Sequence, residues 1–203
     1  MTRVFTAIWL GLGVSLMPVH AGAQELPRLS LDPAGTSVSG LSSGAYLAVQ
    51  MHVAFSASLS GAGVIAGGPY YCAQESRSVA LSECMNAVDR PPDPTASLAA
   101  ATAFAASGAI DPLDGLIGDR VYLFSGTQDD TVAPAVVDAA QAFYQAVGIE
   151  GAAFVQRSSS VPAGHGFLAL DGPVPCAETD PPFINDCGID QAGDLLHFLY
   201  GTL

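Results

Sequence analysis

Short apolar runs alternate along the chain with longer segments in which apolar residues recur every three or four positions. Short runs bounded by glycine, serine or proline are typical of buried strands, and the three- and four-residue spacing is typical of helices. The predicted strands are Thr36–Val38, Gly61–Ala66, Asp119–Ser125 and Ala152–Gln156. Because apolar strands and helices follow one another in turn, the pattern predicts an α/β fold with a mostly parallel sheet.

Helical patterns follow these strands. In the first of them, the apolar side chains at three- and four-residue spacing share one face of the helix. These are Leu47, Met51, Ala54 and Phe55. The predicted helices are Ala45–Ser58, Thr95–Ser107, Pro134–Val147 and Asp190–Tyr200. We expect the last helix to pack on the sheet.

The segment from about residue 72 to 118 differs in character from its surroundings. Its first part, to Pro94, has a loop-like composition, and an alanine-rich helix follows. We interpret it as an insertion beside the functional site, within one domain over residues 24–203. A chain of this length can bury a sizeable core.

The N-terminus has the composition of a signal peptide, predicted over residues 1–23. Arg3 is followed by an almost wholly apolar run, Val4–Val19, and the small residues Ala21, Gly22 and Ala23 fit a cleavage site. A membrane anchor is the alternative, but the run is shorter than the ~20 apolar residues of a spanning helix. We therefore expect a secreted protein, extracellular or periplasmic, with no membrane span after cleavage.

The charge balance narrows the classes of partner. The formal net charge is −13, and all six basic residues are arginines. Nucleic acids and anionic membranes both need clustered positive charge, so neither is an expected partner. A neutral substrate suits a chain in which only 12% of residues are charged.

Four cysteines in an exported chain predict two disulfides. Three pairings are possible. We favour Cys72 with Cys84 and Cys176 with Cys187, because each pair would tie down a loop rich in proline, aspartate and glycine. A zinc site is disfavoured because the close Cys-x-x-Cys spacing and neighbouring histidines are missing.

The candidate nucleophile is Ser42, in the one Gly-x-Ser-x-Gly motif of the chain, Gly40 to Gly44. A strand leads into this motif and a helix follows, which is the context of a nucleophile elbow. We expect both glycines to be required, because a Cβ at either would clash with the helix or the strand. The N–H of Ser43 would then point at a developing oxyanion. A Gly/Ser-rich loop is the plainer alternative.

A proton shuttle and an orienting carboxylate follow in the order Ser, Asp, His. Asp129 comes after the third predicted strand, and His165 lies in a glycine-flanked loop after the fourth. Asp130 is a competitor for Asp129, and Asp171 is too close to His165 in sequence. The other histidines are less suitable, since they lie in the leader or in predicted helices: His20, His52 and His197.

Several stretches together resemble secreted poly(3-hydroxybutyrate) depolymerases, in particular the single-domain, circularly permuted type. These are GLSSGAYLAVQMHVAFS, AGGPYYCA, VYLFSGTQDDTV, AGHGF and INDCGIDQAGDLLHFLYGTL. The resemblance implies an α/β-hydrolase fold, a Ser42–His165–Asp129 triad and the two local disulfides. It also implies hydrolysis of an aliphatic polyester without a cofactor or metal. Tyr70 and Tyr71 are then candidate surface aromatics for substrate binding.

One departure from that family concerns the strands before the elbow. An α/β-hydrolase has several strands there, and one of their loops donates the second oxyanion N–H. The depolymerases that the chain resembles carry those strands in a later segment, which we expect to be missing here. The sheet would then have an uncovered edge, where self-association is plausible. A carboxylesterase for other esters, such as feruloyl esters, and a non-catalytic binding module remain alternatives.

Overall fold

A computed structural model describes residues 30, 32–87, 90–151 and 155–202, and for 155–157 it describes the backbone alone. The chain divides into two units, Met1–Leu31 and Asp32–Leu203, and every element below belongs to the second. The predicted signal peptide over 1–23 lies outside the described residues.

In the part of the chain that the structure describes, four parallel strands form the main sheet: β1 (Val38–Leu41), β2 (Gly61–Ile65), β3 (Arg120–Phe124) and β4 (Val155–Ser158). They lie side by side in chain order, and each pairs with the next in parallel. The first three predicted strands are therefore confirmed, although β1 is displaced from its predicted range by two or three residues. Of the fourth predicted strand, Val155 and Gln156 lie in β4, and residues 152–154 lie outside the described residues.

Among the described residues, five α-helices accompany the sheet: α1 (Ser43–Ala54), α2 (Arg77–Leu81), α3 (Pro94–Ala106), α4 (Pro134–Val147) and α5 (Gln191–Tyr200). Helix α1 contacts β1 and β2, and α3 packs against α4. Helix α5 contacts β2 and β3 and, as predicted, lies on the sheet. The predicted α/β fold is thus confirmed.

The core lies on both faces of the sheet because β2 and β3 are buried on both sides. In β3, Val121 and Leu123 belong to the cluster that includes α1, α3 and α4, whereas Tyr122 and Phe124 belong to the cluster that includes α5. Alternate residues of a strand point to opposite faces, so a continuous apolar run is required wherever both faces are covered.

The apolar stripe on α1 faces outward. Leu47, Met51 and Phe55 are 59%, 36% and 54% exposed. The helix packs on the sheet by its small residues and one histidine: Ala45, Ala48, Val49, His52 and Val53. The spacing of the large side chains thus indicated a helix correctly but did not mark the packed side. Among the described residues β1 has one paired neighbour, so this stripe lies on the helix that follows an edge strand.

The segment from residue 72 to 118 has more regular structure than its composition suggested. Its first part, expected to be loop-like, contains α2, which is continued by a π-helical turn at Ser82–Asn86. Helix α3 follows close to its predicted position, and a 3₁₀ turn at Leu113–Leu116 comes before β3. Both predicted disulfides are present, and Cys72–Cys84 joins the start of this first part to the π-helical turn.

A second, smaller sheet was not predicted. Its strands are β5 (Phe167–Ala169), β6 (Val174–Pro175) and β7 (Ile184–Asp186), in the order β5-β7-β6. These strands have two or three residues each, which is too short for an apolar pattern to be recognised. Within the described part of the chain, no helix has the length and apolar character needed to cross a membrane.

Candidate active site

Ser42 lies at the sharp turn between β1 and α1. Its φ is +56°, a conformation that is rare for residues other than glycine and that is characteristic of strained functional turns. The Ser42 N–H donates to the carbonyl of Ile65 on β2 at 2.9 Å, which fixes the turn to the sheet. A Cβ at Gly40 would clash with the backbone of Gly44, whereas a Cβ at Gly44 would meet open space. The expectation that both glycines are sterically required therefore holds for Gly40 alone.

Ser43 is the first residue of α1, so its N–H is one of the donors that a helix N-terminus leaves unpaired by the helix itself. The aligned peptide dipoles add partial positive charge at this end of the helix. An oxygen that develops negative charge beside Ser42 would be stabilised there.

Asp129 and His165 form a buried pair. The Asp129 Oδ2 and the His165 Nδ1 are 2.9 Å apart, and the two residues are 6% and 5% exposed. The other carboxylate oxygen, Oδ1, accepts the backbone N–H groups of Thr131 at 2.9 Å and Val132 at 2.8 Å. Three hydrogen bonds therefore fix the carboxylate, and the carboxylate in turn fixes the orientation of the imidazole ring.

The loops that follow β3 and β4 are joined through their backbones. Thr127 donates to the carbonyl of Val161 at 2.8 Å, and Gln128 donates to the carbonyl of Ala163 at 3.1 Å. A Cβ at Gly126 would overlap the Ala163 carbonyl, so glycine is required for this close approach. The approach of the two loops is what allows Asp129 to meet His165.

The second sheet supports the histidine loop. The His165 N–H donates to Thr179 Oγ1 at 2.8 Å. The buried Asn185, on β7, donates through Nδ2 to the carbonyls of Cys176 at 3.0 Å and Glu178 at 2.8 Å. The Cys176–Cys187 disulfide joins the same two stretches of chain. The ring of His165 also packs edge-to-face with that of Phe183, and the two ring centroids are 6.3 Å apart.

Ser42 belongs to the same end of the sheet as this pair. It follows β1, whereas Asp129 and His165 follow β3 and β4, and the carboxyl ends of parallel strands meet at one edge of a sheet. Val132, which donates to Asp129, lines the cavity that Ser42 also lines. Tyr46, one helical turn after Ser42, has a raised pKa because of its burial and, secondly, because of the Asp129 charge.

A cavity of about 510 Å³ opens beside Ser42 and Ser43. Its walls come from the first turns of α1 and from the segment that the Cys72–Cys84 disulfide closes. The phenol oxygen of Tyr46 donates to the carbonyl of Cys84, which ties these two walls together. The cavity therefore adjoins the candidate nucleophile directly.

The two tyrosines proposed for substrate binding have different environments. Tyr70 is 6% exposed, stacks on Phe143 and meets the edge of Phe104, so its description as a surface aromatic is wrong. It belongs to the core. Tyr71 is partly exposed and lines the cavity beside Ser42.

The other candidate residues do not contact the Asp129–His165 pair in the way the prediction required. Asp130 is exposed, and it is Asp129 that contacts His165. His197 is exposed on α5, and His52 is fully buried in α1. Among the described residues, no group of three or more His, Cys, Asp or Glu side chains is placed to hold a metal ion.

Sequence reasoning missed four residues around the site: Tyr46, Gln50, Thr179 and Asn185. A signal existed for the first two, because Ser42, Tyr46 and Gln50 are spaced by four and therefore lie along one side of α1. The last two support His165 from 14 and 20 residues further along the chain, and local spacing carries no signal for that.

A parallel sheet, a serine on a strained strand-to-helix turn, and an Asp–His pair on later strand ends are the features of an α/β-hydrolase. The chain has this fold. No model of a protein family matches the chain.

Comparison with known proteins shows what the chain is similar to. The chain is 44% identical over 187 residues to a poly(3-hydroxybutyrate) depolymerase of Delftia acidovorans, covering 91% of the chain and 37% of that relative. It is 32% identical over 205 residues to a polyhydroxybutyrate depolymerase of Talaromyces funiculosus, covering 98% of the chain and 58% of that relative. The crystal structure of the PHB depolymerase from Penicillium funiculosum superposes with a TM-score of 0.77 at 32% identity, covering 89% of the chain and 55% of that structure.

Over nearly its whole length the chain is similar to poly(3-hydroxybutyrate) depolymerases. It spans about half the length of the relatives that it matches, between 37% and 58% in the cases above. A further solved structure, of a serine-to-alanine variant of PHB depolymerase, is a complex with an R3HB trimer.

Proposed function

We propose that the chain carries the triad of a serine esterase that hydrolyses poly(3-hydroxybutyrate)-type polyesters or their oligomers. The observation that carries the proposal is the buried Asp129–His165 pair, 2.9 Å apart, at the sheet edge where Ser42 occupies its strained turn. The relatives are named depolymerases of this polymer, and one of them was solved with a trimer of its repeat unit.

The proposed reaction proceeds in two halves. The Ser42 hydroxyl attacks the ester carbonyl while His165 Nε2 takes the hydroxyl proton, and the Ser43 N–H stabilises the oxyanion. The C–O bond to the alcohol breaks as His165 returns the proton to it, which leaves an acyl-enzyme on Ser42. Water then attacks the acyl group by the same proton route, so the acid is released and Ser42 is restored.

Asp129 has a positioning role in this reaction. Because its Oδ2 accepts from His165 Nδ1, the ring nitrogen that remains for the Ser42 proton is Nε2. The carboxylate also stabilises the imidazolium that forms when the proton is transferred.

The direct test replaces Ser42 by alanine. We expect Ser42→Ala to abolish hydrolysis of short p-nitrophenyl esters and labelling by a fluorophosphonate, since both need the serine oxygen. Ser107→Ala, at an exposed serine after α3, is the matched control and should change neither. Unchanged turnover in Ser42→Ala would disprove the assignment.

The substrate can be tested separately from the chemistry. A carboxylesterase for feruloyl-type esters would turn over soluble aryl esters and leave a film of poly(3-hydroxybutyrate) intact. We expect the film to be cleared. Soluble-ester turnover without clearing would favour the carboxylesterase alternative while leaving the triad in place.

The edge position of β1 favours a second candidate, a non-catalytic binding module. Loss of one oxyanion donor lowers turnover by about 10²- to 10³-fold, and in the part of the chain that the structure describes we assign the Ser43 N–H alone to this role. A folded chain that neither labels with fluorophosphonate nor hydrolyses esters, but that sediments with polymer granules, would support this candidate.

The same edge is the proposed site of self-association. Leu47, Met51 and Phe55 expose an apolar stripe on the helix next to an edge strand, and such surfaces commonly mark interfaces. We expect sedimentation velocity to show dimers that Phe55→Glu dissociates. Leu196→Glu, at an exposed apolar residue on α5, should leave the dimers intact.

Export is proposed as well. The two disulfides are typical of proteins that fold in an oxidising compartment. We expect expression of the full chain in a bacterium to yield a product that begins near Gln24 outside the cytoplasm. N-terminal sequencing of the recovered protein would show whether residues 1–23 are removed.

A further inference from the structure

The cavity beside Ser42 extends along α1. It is lined by Ser42 and Ser43 at one end and by Tyr46 and Gln50 over the next two turns. Eight residues of helix correspond to about 12 Å, so the cavity is long enough for more than the reacting ester group alone. A polyester that reacts at Ser42 and extends into this cavity therefore places there the part of the polymer on one side of the scissile ester bond.

The lining of the cavity carries negative charge and no positive charge. Glu75 is the one acidic residue among the described residues that line it, and none of them is lysine, arginine or histidine. A carboxylate in the cavity would meet the Glu75 carboxylate with no cation among the lining residues to offset the repulsion. Because Glu75 is exposed, this repulsion is modest and weakens as salt is added. An uncharged group would not be repelled.

The segment that holds Glu75 has an unusual backbone. Tyr71, Gln74 and Glu75 have φ values of +53°, +48° and +59°, although none is glycine. Such conformations persist only where the surroundings impose them, and they concentrate at binding sites. Here the Cys72–Cys84 disulfide closes the segment, and Gln50 accepts the Tyr71 N–H at 3.2 Å.

Gln50 supplies a neutral donor in the same cavity. Its Oε1 is engaged by the Tyr71 N–H, so its Nε2 is the atom suited to donate to a ligand. An amide N–H₂ group pairs well with an ester carbonyl. Burial, followed by the Glu75 charge, also raises the pKa of Tyr71, which keeps the phenol in its neutral form.

We propose that this cavity is a subsite for an uncharged aliphatic ester segment, and that Glu75 is a specificity-determining residue that excludes carboxylate-terminated chains from it. The inference rests on the proposed function and deepens it. On this basis the chain cleaves ester bonds whose neighbours are esters or hydroxyl ends. Cleavage is disfavoured at any ester bond that would place a free carboxylate in the cavity. The carboxylate ends of the protein's own products are disfavoured there for the same reason.

Binding in a Ser42→Ala background tests the proposal without turnover. The ligands are the trimer of (R)-3-hydroxybutyrate as its methyl ester and the same trimer as the free acid, titrated by calorimetry at low salt. We expect the ester to bind about three- to tenfold more tightly than the acid, and Glu75→Gln to bring this ratio close to one. Glu150→Gln, an exposed charge just past the far end of α4, is the matched control and should leave the ratio unchanged.

Two results would overturn the subsite. One is equal or tighter binding of the acid, or a ratio that Glu75→Gln does not change. The other is no measurable binding of the methyl ester. Fluorophosphonate labelling of the unmodified chain separates this failure from that of the proposed function. Labelling at Ser42 with no ester preference rejects the subsite alone, whereas absence of labelling rejects the esterase.

Discussion

Two histidine–aspartate pairs in the molecule have nearly the same local geometry and different surroundings. His165 lies 2.9 Å from Asp129 in the loops at the end of the sheet, and His52 lies 3.0 Å from Asp119 inside the fold. Both histidines are buried, at 5% and 0% exposure. The distance between ring and carboxylate therefore does not tell a catalytic pair from a structural one.

The second nitrogen of each ring makes the difference. In His52, Nε2 is 3.0 Å from Asp119 and Nδ1 is 3.0 Å from the Tyr144 hydroxyl, so both ring nitrogens have protein partners. In His165, the described hydrogen bonds involve Nδ1, which leaves Nε2 to exchange a proton with a nucleophile. A histidine with two fixed partners can stabilise a core, whereas a proton shuttle needs one nitrogen for the reaction.

Distance along α1 separates His52 from the nucleophile as well. His52 is ten residues after Ser42, which corresponds to about 15 Å of helix. A general base must come within about 3 Å of the proton that it takes. The pair of His52 and Asp119 therefore belongs to the buried contacts of α1 with Tyr144 on α4 and with the start of β3, not to the proposed triad.

The largest expected effect is that of His165→Ala. Removal of the proton shuttle should lower ester turnover about 10⁶-fold, to background, because the serine alone is a weak nucleophile at neutral pH. His197→Ala, at an exposed histidine on α5, is the control and should keep full turnover. Initial rates with a p-nitrophenyl ester provide the measurement. Substantial turnover in His165→Ala would mean that His165 is not the proton shuttle.

Asp129→Asn should come next, with a loss of about 10⁴-fold in turnover. An asparagine oxygen can still accept the N–H groups of Thr131 and Val132, so the loop should remain folded. The amide would face His165 Nδ1 with a donor and hold the ring in the wrong tautomer. Asp130→Asn is the matched neighbour. If it lost as much activity as Asp129→Asn, the assignment of the orienting carboxylate would be wrong.

His52→Ala should act on stability instead. We expect the free energy of unfolding to fall by about 3 kcal/mol, because a buried ring is lost and the Tyr144 hydroxyl is left without its partner. Turnover per folded molecule should stay the same. Denaturant unfolding together with active-site titration measures both quantities, and a loss of turnover at full folding would contradict the separation of the pairs.

Tyr144→Phe is the smallest change. Removing the hydroxyl leaves His52 Nδ1 unpaired in a buried site, which should cost about 1 to 2 kcal/mol of unfolding free energy. Tyr200→Phe removes an exposed hydroxyl bond to Ser37 and should cost less than about 0.5 kcal/mol. Equal losses in the two variants would mean that the buried hydrogen bond makes no particular contribution.

Much of the local structure could be predicted because its signals are local. The spacing of apolar residues, together with the glycines and prolines that bound each segment, predicted the four strands, the helix that follows Ser42 and the helix Pro134–Val147. The second sheet was not, because strands of two or three residues carry no period. The outward face of α1 was also hidden, since spacing shows that large apolar side chains share a face but not what covers it.

The amino-acid sequence by itself determined the order of the main strands and the longer helices and the strained turn at Ser42, because each depends on neighbours a few residues away. It also favoured the two cysteine pairs, which join residues 12 and 11 positions apart. Only the tertiary structure decided which carboxylate meets which histidine, because those contacts join residues 36 and 67 positions apart. It likewise placed Tyr70 in the core and Tyr71 in the cavity, although they are adjacent in the chain. Parallel strands bring distant loops to one edge of a sheet, and no local pattern encodes which side chains meet there.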